Sequence, residues 1–348
     1  MKRVTCREIG EKLGLSHSSV SLAMRDHPSL PLATRERVKA LADEMGYRPD
    51  PALAALNAYR QAGKEPGYQA TLGWFNTWPD PGKRYDDILF LGAEERARKL
   101  GYGLEEFWAP TPGHWKGMLR TCQARRIEGL LVPPMPTSGD EGFFRDFPWQ
   151  NFSSVAVGEH YGTSLDLVIN NQFQSAARIV RELHALGYRK IGIVMPESFA
   201  RHTEFIFLGG YLAECAKRKV RPLFLVDESG SEGQYAKQTA RWIKEHRPEA
   251  VIASGPGDIF PVLREAKMRV PEDIAVAFVS RSKEHPEISC IDQDYRQIGM
   301  AGANLLVDLM RRNMRGIPAS PMRLLIEGTW VEGTSTPPYR SGRARRRK

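Results

Sequence analysis

The sequence predicts an α/β protein preceded by a small all-helical N-terminal unit, and three observations carry that expectation. From residue 71 onward, short apolar stretches alternate with amphipathic stretches of helical period, the pattern of parallel strands covered by helices on both faces. Residues 4–56 show helical periodicity, helix caps and glycine punctuation instead. The chain of 348 residues is 41% hydrophobic, enough to bury a large core in two or three domains.

In the N-terminal unit, Thr5 followed three residues on by Glu8 is a capping box, and Ser16 is an N-cap for a second helix. Gly14 punctuates a tight turn between the two. Val20 and Met24 share an apolar face with Ile9, Leu13 and Leu15, and a third helix, roughly 32–45, adds Val38, Leu41 and Met45 before Gly46 stops it. His17, Ser18, Ser21, Leu22 and Arg25 remain outward as one continuous stripe on the second helix. A helix-turn-helix offers such a stripe to the DNA major groove.

The segments Val4-Thr5, Gly14-Leu15-Ser16, Ser19-Val20-Ser21, Thr34-Arg35-Glu36-Arg37-Val38 and Gly46-Tyr47-Arg48-Pro49 resemble the DNA-binding headpiece of the LacI/GalR family of bacterial transcription regulators. The resemblance implies a headpiece over 1–48, a hinge helix over 49–60 and a linker over 61–69. It makes positions 17, 18 and 22 the main base-edge contacts, here His17, Ser18 and Leu22. Leu22 offers only apolar contact, for instance to a thymine methyl. Ser16, Ser19, Ser21 and Thr34 suit phosphates, which position without reading sequence, and Thr5 and Arg25 join them on the expected DNA face. Pro49 and Pro51 end the third helix, and 52–60 is helix-forming but too short to hold alone in water. In the family this hinge orders when two subunits meet on the operator and a leucine wedges into the minor groove; Leu56 occupies that position.

Expected strands are 71–76, 103–108, 127–132, 154–157, 190–195, 250–254 and 274–279, with helices at 87–100, 171–186, 204–219, 234–245, 259–267 and 295–312 between them. No GxGxxG follows a strand, which argues against dinucleotide binding. The stretches HALGYRKIGIV, REAKMRVPEDIAVAFV and LIEGTWVEGTS resemble the effector-binding core of the same family, two Rossmann-like subdomains of periplasmic-binding-protein type. That implies a core over 70–335, with subdomain 1 at about 70–162 and 294–321, subdomain 2 at about 163–293 and 322–335, and a basic disordered tail over 336–348.

Ligands in such sheets bind beyond the carboxyl ends of strands, in the cleft between subdomains. The rule selects Thr77, Trp78, Tyr85, Glu159, Arg201, Asp258, Ser280, Arg281, Gln293 and Asp294. Three polar anchors usual in sugar-responsive members are altered. An expected Arg is Phe207, an expected Asn-Asp is replaced by Gly255-Pro256-Gly257-Asp258, and an expected Asp-Asp is Ser280-Arg281. The ligand is therefore expected to be sugar-derived but different, with an anion paired by Arg201 or Arg281 as one option, or the site has drifted out of use.

Of the net charge of +9, residues 1–60 carry +3 and the tail 340–348 carries +6, which leaves the body neutral. Cys6, Cys122, Cys215 and Cys290 show no metal-like spacing and read as thiols in a reducing cytoplasm. No run approaches the roughly 18 apolar residues that span a bilayer. No GxSxG, HExxH or P-loop is present, so the chain is not expected to be an enzyme or to carry a cofactor or metal. The expected protein is a cytoplasmic, homodimeric repressor of a pseudo-palindromic double-stranded DNA operator of roughly 16–20 base pairs, controlled by a carbohydrate-like small-molecule effector. The alternative is a DNA-binding regulator whose core only dimerises and binds no effector.

Overall fold

The computed structural model describes residues 4–24, 30–47, 68–78, 80, 87–109, 115–135, 147–159 and 163–339. Three helices come first: α1 (Cys6–Leu13), α2 (His17–Met24) and α3 (Leu32–Glu44). The capping box is present in full. Thr5 Oγ1 accepts the Glu8 N–H at 3.3 Å, and the Glu8 carboxylate accepts the Thr5 N–H at 2.8 Å. Gly14 closes α1 in the left-handed conformation (φ 67°), which a glycine adopts without steric penalty. Ser16 Oγ accepts the Ser19 N–H at 3.0 Å and so caps α2. Ile9, Val20, Ala23, Val38 and Ala42 are buried, ringed by Leu13, Leu15, Met24, Leu41, Met45 and Tyr47. Gly10 is required by packing, because a Cβ there would lie 2.5 Å from the Leu15 carbonyl oxygen. The hinge helix and Leu56 lie outside the described residues.

Strand and helix then alternate. In order they are β1 (Ala70–Asn76), α4 (Asp87–Lys99), β2 (Tyr102–Trp108), α5 (Trp115–Arg125), β3 (Gly129–Val132), β4 (Ser153–Val157), β5 (Asp166–Asn170) and α6 (Gln172–Ala185). There follow β6 (Ile191–Pro196), α7 (Glu197–His202), α8 (Ile206–Arg218), β7 (Leu223–Asp227), α9 (Glu232–His246), β8 (Ala250–Ala253) and α10 (Pro256–Ala266). Last come β9 (Ala275–Phe278), β10 (Ser289–Asp292), α11 (Tyr295–Arg311), β11 (Arg323–Ile326) and β12 (Thr329–Val331). Two sheets result, in the orders β11-β5-β4-β3-β1-β2 and β12-β10-β9-β8-β6-β7. By packing, one unit comprises Met1–Ala156, Ser164–Asp166 and Gly299–Met322, and the other Val157–Thr163, Leu167–Ile298 and Arg323–Lys348.

All seven expected strands form. Five further strands, β5, β7, β10, β11 and β12, and the helices α5 and α7 were not expected; these segments are short or mix polar and apolar residues without a clean period. Pairing in the second sheet is parallel except between β12 and β10, which run antiparallel. The period-two alternation of its strands feeds two cores. Ile193, Met195, Ile252 and Ala277 face α6 and α8, whereas Val194, Val251, Val276 and Phe278 face α9 and α10. The helix expected from Glu204 begins at Ile206, because Glu204 and Phe205 adopt left-handed conformations (φ 46° and 57°). Gly210 on α8 sits where a Cβ would lie 2.1 Å from the Phe173 carbonyl oxygen on α6, so the two helices meet backbone to backbone.

Candidate nucleic-acid interface and ligand-binding edge

On the headpiece, α2 is anchored by Val20 and Ala23, and the residues turned away from that core follow from the helical period. Ser16, His17 and Ser18 are exposed, while Ser19, Ser21 and Leu22 are half-buried. Thr5 is exposed beside α1 and engaged in its capping box; Thr34, in the first turn of α3, is half-buried. Arg25 lies outside the described residues. Ser16 and Ser19 hydroxyls are 2.8 Å apart, so Ser16 serves the local cap before any outside acceptor. The Cys6 thiol donates to the Tyr47 hydroxyl at 3.0 Å, which ties the start of α1 to the end of the headpiece.

At the end of β1, Asn76 is buried and its amide is spent on both sides. Its Nδ2 donates to Glu106 Oε1 at 2.8 Å, and its Oδ1 accepts the Trp78 N–H at 3.0 Å. The Trp78 carbonyl accepts the Trp108 indole N–H at 2.8 Å. Thr77 is buried, with its hydroxyl unbonded among the described atoms. Tyr85 lies outside the described residues.

Apart from Glu159, which follows β4 of the first sheet, the rest of the expected residues in the described part lie at or just beyond the carboxyl ends of the second sheet. Gln293 is buried; its Nε2 donates to the Val279 carbonyl at 3.1 Å, joining the end of β9 to the end of β10, and its Oε1 has no partner among the described residues. Asp294 (φ 55°) accepts the Gln297 N–H at 3.0 Å and starts α11, a structural role. Glu159 is half-buried and accepts a 3.4 Å bond from the Tyr295 hydroxyl. Arg201 is exposed and pairs with Glu197 at 2.5 Å; Arg281 is exposed and pairs with Asp292 at 3.2 Å. Ser280 is half-buried. Asp258, in the first turn of α10, accepts the Ser254 hydroxyl, and burial raises its carboxyl above the usual range despite that bond.

Two residues at this edge were not expected. Asp227 ends β7 and is buried; its Oδ2 accepts the Ser229 N–H at 3.2 Å and the Ser229 hydroxyl, while its Oδ1 has no partner among the described residues. Tyr235 in α9 is buried, with its hydroxyl beside that of Thr239. Burial, with the charges of Asp258 and Asp227, drives the Tyr235 phenol far above its ordinary ionisation range. Recognising LFLVD as a strand would have brought Asp227 under the carboxyl-end rule. A cavity of about 640 Å³ lined by Phe260, Leu263, Arg264, Met268 and Ile288 lies at the opposite, amino edge of the same sheet and holds none of the expected residues. Among the described residues, no cluster of His, Cys, Asp or Glu could hold a metal ion, and no helix is long and apolar enough to cross a membrane.

Residues 180–336 match the periplasmic binding protein-like domain. The lactose operon repressor of Escherichia coli (strain K12) is 21% identical over 336 residues, covering 93% of this chain and 90% of the relative. The crystal structure of the lac repressor dimer bound to operator and the anti-inducer ONPF superposes with a TM-score of 0.56 at 20% identity, covering 97% of this chain and 100% of that one. The chain is a homologue of the LacI/GalR regulators. A complex of the transcriptional regulator CelR with cellobiose gives a TM-score of 0.56 at 18% identity, covering 96% and 100%. Against the LacI/GalR pattern, the replaced arginine has a definite fate here. Phe207 is fully buried and stacks on Phe199 at 5.8 Å, so this position has become part of the core.

Proposed function

We propose that the chain is a sequence-specific DNA-binding transcriptional regulator, a repressor, that binds a pseudo-palindromic operator as a homodimer and answers to a small hydroxylated effector. The observation that carries this reading is the folded helix-turn-helix, with His17 and Ser18 exposed on α2, in a homologue of the lactose operon repressor along 93% of the chain. Its dimeric relative is bound to operator, and CelR is bound to cellobiose. Effector contact at the carboxyl ends of the core strands shifts operator affinity by a coupling of about 1–3 kcal/mol, transmitted through the segment that contains Leu56. Phe207 in the core, where sugar-responsive members place an arginine, favours a second reading in which the body dimerises without an effector.

Selection of bound fragments from random duplex DNA tests the first reading. The full chain enriches a motif with two symmetry-related half-sites, and Leu22→Ala changes the preference at one base pair of each half-site by about 1–3 kcal/mol. Failure to enrich any motif removes the proposal; an identical motif for the variant removes Leu22 as a reading residue.

A further inference from the structure

We infer that the carboxyl edge between β7 and β8 is a subsite for the amino group of a small hydroxylated amine, held by Asp227, Asp258 and the Tyr235 hydroxyl. The inference rests on the effector reading above and names the ligand class for that edge. Asp227 is 4% exposed and keeps a carboxylate oxygen buried without a hydrogen-bond partner among the described residues; Tyr235 is 5% exposed, its hydroxyl facing only that of Thr239 and the charges of Asp258 and Asp227. Such groups are expensive to hold in a fold, since an unmade hydrogen bond leaves the full desolvation penalty standing. Among the described residues no Lys, Arg or His pairs with Asp227 or Asp258; their partners are the hydroxyls of Ser229 and Ser254 and one backbone N–H.

The chemistry of the edge selects against an anion. Helix N-termini favour negative charge, but α9 and α10 each carry their own acid in the first turn, Glu232 and Asp258. The two arginines that would receive an anion already sit beside Glu197 and Asp292. What the edge lacks is a donor with positive charge, and an ammonium group supplies three N–H donors to two carboxylates and a phenol oxygen.

The test is calorimetry on the full chain with glucosamine, galactosamine and mannosamine, each beside its parent hexose and its hexuronic acid. At least one amino sugar binds about tenfold or more tightly than its parent and its acid, the value of one charged hydrogen bond. Asp227→Asn, Asp258→Asn and Tyr235→Phe each erase that preference, so that the amino sugar and its parent hexose bind each variant within about twofold of one another. Without ligand, Asp258→Asn raises the melting temperature, because it removes a carboxylate that no cation offsets; a lowered melting temperature assigns Asp258 to structure and overturns its role. Equal or tighter binding of the hexose or the uronate overturns the inference alone, and so does a thermal shift with calcium chloride that the amines do not give. Silence from every sugar, with DNA selection intact, removes the effector reading and the inference together.

Discussion

The headpiece and the second sheet bury their apolar residues on different scales, and the difference shows where each is vulnerable. The headpiece core rests on five fully buried residues, three of them larger than alanine, and draws only on residues 4–47. The second sheet has a core on each face, built from five helices and the alternating residues of six strands. A core that small leaves little margin, so local devices such as the capping box and the Gly14 turn carry a larger share of its stability. The larger body can hold costly groups at its carboxyl edge, where Asp227 and Gln293 each keep a buried oxygen without a hydrogen-bond partner among the described residues.

The headpiece and the body can each be perturbed separately. The largest effect is expected from Gly210→Ala, which sets a methyl group 2.1 Å from a backbone oxygen that cannot move without displacing α6. It should destabilise the body by at least about 3 kcal/mol, read as a lowered denaturation midpoint, with headpiece amide protection unchanged. Ile9→Ala comes next. It removes the largest fully buried side chain of the headpiece at about 2–5 kcal/mol, enough to abolish a gel-shift on the selected DNA while the main thermal transition stays in place. A variant that also lowered the body's transition would show that the two regions are not independent. Thr5→Ala removes the reciprocal cap for about 1 kcal/mol, seen as faster amide exchange in α1 and weaker DNA binding.

The smallest effect sharpens the contrast at the amino edge of the second sheet. Burial pushes the Glu249 carboxyl up, but the N–H groups of Lys190 and Arg189, at 2.9 and 2.6 Å, outweigh it and hold it below the usual range. A lowered folded value means the contribution is present above the ordinary carboxylate range, near about 4.3, and is lost as pH falls through the folded value. Glu249→Gln should therefore slightly lower the body's stability in the neutral region and leave the acid end nearly unchanged, so that the acid limb of the stability curve flattens.

The segments that were legible in the sequence are those whose signal is local. Thr5 and Glu8 lie one helical turn apart, and Gly14 and Gly46 announce left-handed positions, so α1, its turn and the end of α3 could be placed without tertiary knowledge. The continuous apolar strands β1, β3, β6, β8 and β9 were legible for the same reason. β7, with LFLVD, and β10, with SCID, are short and end in an acid, and nothing local separates them from loops.

The sequence by itself determined the α/β class, the three headpiece helices, seven of the strands, and that Leu22 rather than an arginine stands on α2. Only the tertiary structure decided what the body's edge is made of. Strand order is set by long-range packing and not by succession, so β7 and β8 end at the same sheet edge with β6 lying between them. Asp227 and Asp258 are thirty-one residues apart in sequence, yet both carboxylates act on Tyr235. Phe207 stands where the resemblance expects an arginine and Arg281 reads as a ligand contact; one is sealed in the core and the other is tied to Asp292, because burial and ion pairing are properties of neighbours that only folding supplies.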